Sequence, residues 1–170
     1  MARLLTGGAN MGTRCSLALA SALAPVGIAL AQGSASRPPP TVIRPGDIVW
    51  QPGPPTLEPG SQGAVLAGNP SQPGPFTLRV RLPARYRIAP HRHPVDERLT
   101  VLSGALCFAT AGPANVAQDT LCIGPGTFRL MPANVVHSDW ALGPVEYQIE
   151  ALGPFDLIYV NPGDDPRHRR

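Results

Sequence analysis

The stretch Ala89-Pro90-His91-Arg92-His93-Pro94-Val95-Asp96-Glu97-Arg98-Leu99-Thr100-Val101-Leu102-Ser103-Gly104 decides how the rest of the chain is read. Pro90 and Pro94 lack an N–H and clash with a preceding helical turn, so they exclude helix. The run from Arg98 to Ser103 reads as a strand closed by Gly104. Side chains two apart in extended backbone leave the same face, so His91 and His93 can reach a common point, and Glu97 keeps their parity. A strand, a bend and a second strand then carry three donors. A fourth comes later: Gly126-Thr127-Phe128-Arg129-Leu130-Met131 is another strand-like run, followed by a Pro132-Ala133-Asn134 turn and His137.

Three neutral imidazoles and one carboxylate suit a single borderline divalent transition metal, Mn, Fe, Co, Ni, Cu or Zn, whereas Ca and Mg want mostly oxygen. The expected metal ligands are therefore His91, His93, Glu97 and His137. An ion that accepts five or six donors keeps positions open for water, O2 or a substrate. The chain holds only four histidines, and the remaining one, His168, reads as a surface residue of the tail.

These residues resemble the two motifs of the cupin superfamily. The first is a glycine, five residues, H-x-H, three or four residues, E, six residues and a glycine; His91, His93, Glu97 and Gly104 fill it, with Arg85 in place of the leading glycine. The second is a glycine, five residues, P-x-G-x-x-H, three residues and an asparagine. Gly126, Pro132 and His137 fill it, while Asn134 replaces the inner glycine and Ala141 the asparagine. Asn is the next most tolerant residue of a left-handed turn. The segments from Pro90 to Glu97 and from Ile158 to Pro162 further resemble those of small exported single-domain cupins. The resemblance implies an all-β fold, a double-stranded β-helix or jelly-roll cupin barrel, with the metal at the base of a pocket and Glu97 able to leave the ion and act as a catalytic base.

The first 31 residues look like a secretory signal peptide. Arg3 and Arg14 supply a basic start, residues 15–31 are nearly all apolar, and Ala29-Leu30-Ala31 offers small residues for cleavage. Met11 would serve as a start equally well. Pro25 and Gly27 in so short an apolar run argue for removal rather than a permanent membrane anchor. A periplasmic or secreted location follows. Cleavage removes Arg3 and Arg14, so 12 of the 14 basic side chains remain against all 11 acidic ones. With the arginines scattered and no basic stripe among aromatics, nucleic acid is not an expected partner. The chain has no lysine, which excludes Schiff-base chemistry through a lysine.

Residues 32–40 end in three prolines and read as a linker, residues 41–166 as the cupin domain, and residues 167–170 as a solvated basic tail. Residues 47–50 and 64–66 are short strand candidates, 76–82 and 145–151 alternate apolar and polar, and 155–160 is the last candidate. Cys107 and Cys122 lie on two strand-like runs joined by a turn, so an even pair in an oxidising compartment invites a disulfide, with two buried free thiols as the alternative. Leu99 and Val101 share the parity of Glu97 and should wall the pocket. Gln148 and Glu150 are either the wet face of their strand or polar groups aimed into that pocket. Trp140 would line its mouth or cover the core, and Arg87 shares the parity of His91 unless Pro90 breaks the register.

Fold alone does not give activity. The first reading is a metal-dependent oxidoreductase of dioxygenase type acting on a small chelating substrate. The alternatives are a redox-neutral metal-dependent lyase or isomerase and a non-enzymatic metal- or ligand-binding module. Family analogy adds a homodimer formed through edge strands, with residues 47–66 as the arm.

Overall fold

The computed structural model describes residues 40–111 and 117–169, and the side chains of all of these except 117–119. The signal peptide expected at 1–31, nearly all of the linker and most of the turn between the two cysteine strands lie outside the described residues.

Among the described residues the alternating sequence forms eleven antiparallel strands: β1 Gln51–Pro52, β2 Gln62–Ala67, β3 Gly74–Leu82, β4 Arg87–Arg92, β5 Glu97–Ser103, β6 Leu106–Ala111, β7 Ala117–Ile123, β8 Phe128–Met131, β9 His137–Ala141, β10 Val145–Gly153 and β11 Ile158–Tyr159. A six-stranded sheet runs β1-β2-β3-β10-β5-β8 and a five-stranded sheet β11-β4-β9-β6-β7. Their inner faces share one apolar core, to which the first contributes Phe76, Val80, Leu99, Val101, Tyr147 and Ile149 and the second Ile88, Leu106, Ile123 and Ala141. The period-two patterns of β3 and β10 reflect this, since each strand has one face in the core and one in water.

The expected jelly-roll barrel is not formed. Among the described residues each sheet is an open ribbon of strands, ending at β1 and β8 in one and at β11 and β7 in the other, with no ladder joining the ends. The physical reason is strand length. β1 and β11 are two residues long and β8 four, and Pro52 in β1 has no N–H to donate, so these edges offer too few groups for closure.

Three local expectations are also corrected. Pro45–Asp47 is a 3-10 turn, and strand pairing begins only at Gln51, so residues 47–50 are not a strand. Of residues 155–160 only Ile158–Tyr159 pairs. The basic tail is not simply solvated. Pro166–His168 is a 3-10 turn, Arg167 donates to Asp165, to Asp156 Oδ1 (3.2 Å) and to the Leu157 carbonyl (3.2 Å), and Arg169 is ion-paired with Glu58. Cys107 and Cys122, directly opposite each other on β6 and β7, form a disulfide.

Candidate metal centre

His91 lies on β4 directly across from His137 on β9, so cross-strand pairing alone brings their rings to a 4.3 Å centroid separation. Strict alternation along β4 would turn His91 away from the buried Ile88, three residues earlier. A register shift between those two positions, at the segment containing Pro90, restores it to the interior. The same shift leaves Arg87 on the outer face. His93 follows the strand and Glu97 opens β5, both buried.

The turns that hold these strands obey the motif in conformation even where they depart from it in residue. Arg85 and Asn134, which stand where the cupin pattern has glycine, both adopt positive φ, 63° and 64°. Arg85 is held there by its N–H donating to the Ala141 carbonyl (3.0 Å). Asn134 is held by its N–H on the His93 carbonyl (2.8 Å), while its side chain accepts from Arg92 (2.7 Å). Asp96 accepts from the Ala133 N–H (2.9 Å) and so ties the second turn to the first. Gly104 (φ 75°) cannot be replaced as Arg85 replaces its glycine, because a Cβ there would run into the Pro144 carbonyl.

His91, His93 and His137 each offer one nitrogen, and these nitrogens lie within 4.8 Å of one another. Their orientation is fixed from behind. Each Nδ1 faces a backbone carbonyl: Ala89 for His91 (2.8 Å), Asp156 for His93 (2.8 Å) and Val135 for His137 (3.0 Å). A carbonyl only accepts, so Nδ1 carries the proton and Nε2 is left as a lone pair. The Nε2 atoms of His93 and His137 are buried and have no hydrogen-bond partner among the described residues. Two buried acceptors left without a partner are costly, and a cation would satisfy both. The donor set therefore fits a transition metal held by these three residues. Burial, followed by the neighbouring His137, pushes the His91 imidazole down to about 4, and burial also lowers His93, so both favour the neutral form that coordination needs.

Neither Glu97 nor Asp139 joins the three nitrogens in this group. Glu97 Oε1 stands 3.6 Å from His93 Nε2, and its Oε2 accepts from Arg129 Nη2 at 2.6 Å. The same guanidinium donates through Nη1 to Asp139 Oδ1 (2.5 Å), so one buried cation, lying over the Phe108 ring, links two buried carboxylates. Burial alone would raise both carboxylates. Arg129 outweighs it and holds each below the usual range, and the two carboxylates keep Arg129 charged despite its own burial. Neither Arg129 nor Asp139 was marked by sequence reasoning. The signal was parity: Asp139 sits two residues after His137 on β9, and Arg129 two before the buried Met131 on β8.

A cavity of about 760 Å3 opens between the sheets onto His91, His93, Glu97, Arg129 and Asp139, with Leu99, Leu106, Ile149 and Phe155 among its apolar walls. Leu99 is thus on the wall, whereas Val101 is fully buried behind it. Gln148, Glu150, Trp140 and Arg87 do not line this cavity. Gln148 and Glu150 take the outer face of β10, where Gln148 accepts from Arg79 and donates to Glu150, because Tyr147 and Ile149 hold the inward parity. Trp140 and Arg87, paired across β9 and β4, line a separate recess beside Tyr159 and Arg169. The inward polar group of β10 is Tyr147. Burial and then the charges of Asp139 and Glu97 raise its hydroxyl well above the ordinary phenol range, so it stays a donor.

No family model matches the chain, and no curated protein matches it. Solved structures do. The polyketide cyclase RemF from Streptomyces resistomycificus is 17% identical over 74% of this chain and 89% of its own, with a TM-score of 0.59. The DMSP lyase DddQ from Ruegeria pomeroyi DSS-3 is 17% identical over 69% of this chain and 63% of its own, with a TM-score of 0.56. KdgF from Halomonas sp. is 20% identical over 66% of this chain and 94% of its own, with a TM-score of 0.52. At these identities the likeness is one of fold alone. Among the described residues no helix is long and apolar enough to cross a membrane.

Proposed function

We propose that the protein is an exported metal-dependent enzyme of dioxygenase type, acting on a small chelating substrate bound in the cavity between the sheets. The observation that carries the reading is the convergence of three imidazoles oriented from behind, two of them with an Nε2 that has no hydrogen-bond partner among the described residues. His91, His93 and His137 would hold the ion. When bound, it supplies a Lewis acid and, if redox-active, an electron couple for oxygen chemistry.

The protein's own residues do the remainder. The apolar walls formed by Leu99, Leu106, Ile149 and Phe155 exclude water and favour a largely apolar substrate body. Arg129 keeps Glu97 and Asp139 ionised, each with one oxygen left to face the imidazoles. Glu97 can thereby accept a proton from a substrate seated beside His93. The Tyr147 hydroxyl makes no hydrogen bond with the described residues and can donate to a substrate oxygen. Proton-moving groups on two sides of one cavity also favour a second reading, a redox-neutral lyase or isomerase. Export rests on the apolar segment of residues 15–31, and the Cys107–Cys122 disulfide supports an oxidising compartment.

The test is element analysis of protein purified from its native compartment, followed by oxygen uptake with enolisable and catecholic compounds. A redox-active ion and substrate-dependent oxygen uptake are expected. Turnover of the same compounds without oxygen uptake would select the redox-neutral reading. Absence of both metal and turnover would leave only a binding module.

A further inference from the structure

We infer that Asp139 is a ligand of the ion held by the three imidazoles, in the place the sequence motif reserves for Glu97. The inference rests on the metal-binding reading above and concerns which carboxylate completes the centre. Asp139 Oδ2 lies 3.5 Å from His137 Nε2 and 3.9 Å from His91 Nε2. Glu97 Oε1 comes within 4 Å of only one of the three, His93 Nε2, at 3.6 Å. The approach of Asp139 is built into the sheet. Asp139 follows His137 by two residues on β9, both point inward, and β9 is paired with the strand that carries His91.

The chemistry of the contact points the same way. With the Nδ1 protons committed to backbone carbonyls, the facing atoms of His91, His137 and Asp139 are all acceptors, two lone pairs and a carboxylate oxygen. Acceptors gathered this closely in a buried site repel unless a cation lies among them. Arg129 engages the other oxygen, Oδ1, and leaves Oδ2 directed at the nitrogens. Strand position assists: the aspartate sits on β9 with His137, whereas Glu97 reaches across from β5, and Arg129 engages one oxygen of each.

The experiment uses Co2+ loading of the full chain, read by the visible ligand-field absorption bands, with Co2+ affinity measured by competition against a chelator. Asp139→Asn should shift the bands and weaken affinity by about tenfold or more, while Glu97→Gln leaves the bands in place. Unchanged bands in Asp139→Asn overturn the inference. Equal shifts in both variants also overturn it, because the disturbance would then travel through Arg129, which both carboxylates hold. Should Asp139→Asn fail to fold, Asp139→Glu keeps the charge opposite Arg129 and moves the oxygens, and must shift the bands if Asp139 is a ligand. His93→Ala separates the two levels: loss of Co2+ there with unchanged bands in Asp139→Asn refutes only the role of Asp139. Full Co2+ retention in His93→Ala refutes the metal centre and this inference together.

Discussion

The interior between the sheets has two polar regions that solve the problem of burial in opposite ways. In the first, His91, His93 and His137 are anchored to backbone carbonyls on one side, and the Nε2 atoms of His93 and His137 are without a hydrogen-bond partner among the described residues on the other. In the second, Glu97, Arg129 and Asp139 are ions joined by hydrogen bonds of 2.5–2.6 Å through the two terminal nitrogens of Arg129, whose Nε has no partner among the described residues. A buried charge without a partner costs several kcal/mol, so the ionic cluster has to be complete within the protein. A buried lone pair costs less and can be left open for a ligand from outside. The contrast separates charges that need partners within the protein from lone pairs that can wait for one, and Asp139 belongs to both, with Oδ1 on Arg129 and Oδ2 facing two imidazoles.

Removing an imidazole attacks the open region directly and should have the largest effect. His93→Ala should lower metal affinity by well over the ~10–100-fold that outer-shell changes cost, with little loss of fold stability, as measured by metal titration and chemical denaturation. Arg129→Met attacks the closed region and should reverse the pattern. It leaves two buried carboxylates uncompensated, and denaturation should show a loss of about 3–5 kcal/mol. If Arg129→Met proves as stable as the parent, the cluster is not the closed unit described here.

Acid should distinguish the regions by the pH at which each fails. The His91 imidazole lies at about 4 in the folded protein against 6.5 for an unperturbed histidine, chiefly through burial. Between those values the unfolded chain binds the proton that the folded one refuses. Stability of the metal-free protein is therefore fully present above pH 6.5 and falls as pH drops toward 4, by up to about 3 kcal/mol from this residue alone. Glu97 and Asp139 are held below their ordinary values, so their contribution is lost only at still lower pH. Denaturation midpoints between pH 7 and pH 4 check this, and a flat profile would contradict it. The smallest effect belongs to the outer face of β10. Gln148→Ala should leave metal affinity unchanged and alter stability by no more than about 0.5 kcal/mol.

Local rules made part of this legible. The prolines around His91 and His93 exclude helix, and the intervals of the two motifs identify the three imidazoles before any fold is known. Gln148 and Glu150 were ambiguous because alternation names two faces without saying which is inside. The answer comes from Tyr147 and Ile149 packing against β3 and β5. Arg87 shows the opposite failure. Its spacing from His91 points inward only if the strand is regular, and the register shift before His91 breaks that assumption.

What the sequence determined by itself is a chain of strands in which His91, His93 and His137 can meet, since proline and period-two spacing act over a few residues. Only the tertiary structure decided that the sheets stay open, that Arg129 joins Glu97 to Asp139, and that Asp139 faces two of the imidazoles. Those outcomes depend on contacts between strands far apart in the chain, where β8 pairs with β5 and β9 with β4. A buried charge finds its partner in space, and no interval along the chain announces which partner that is.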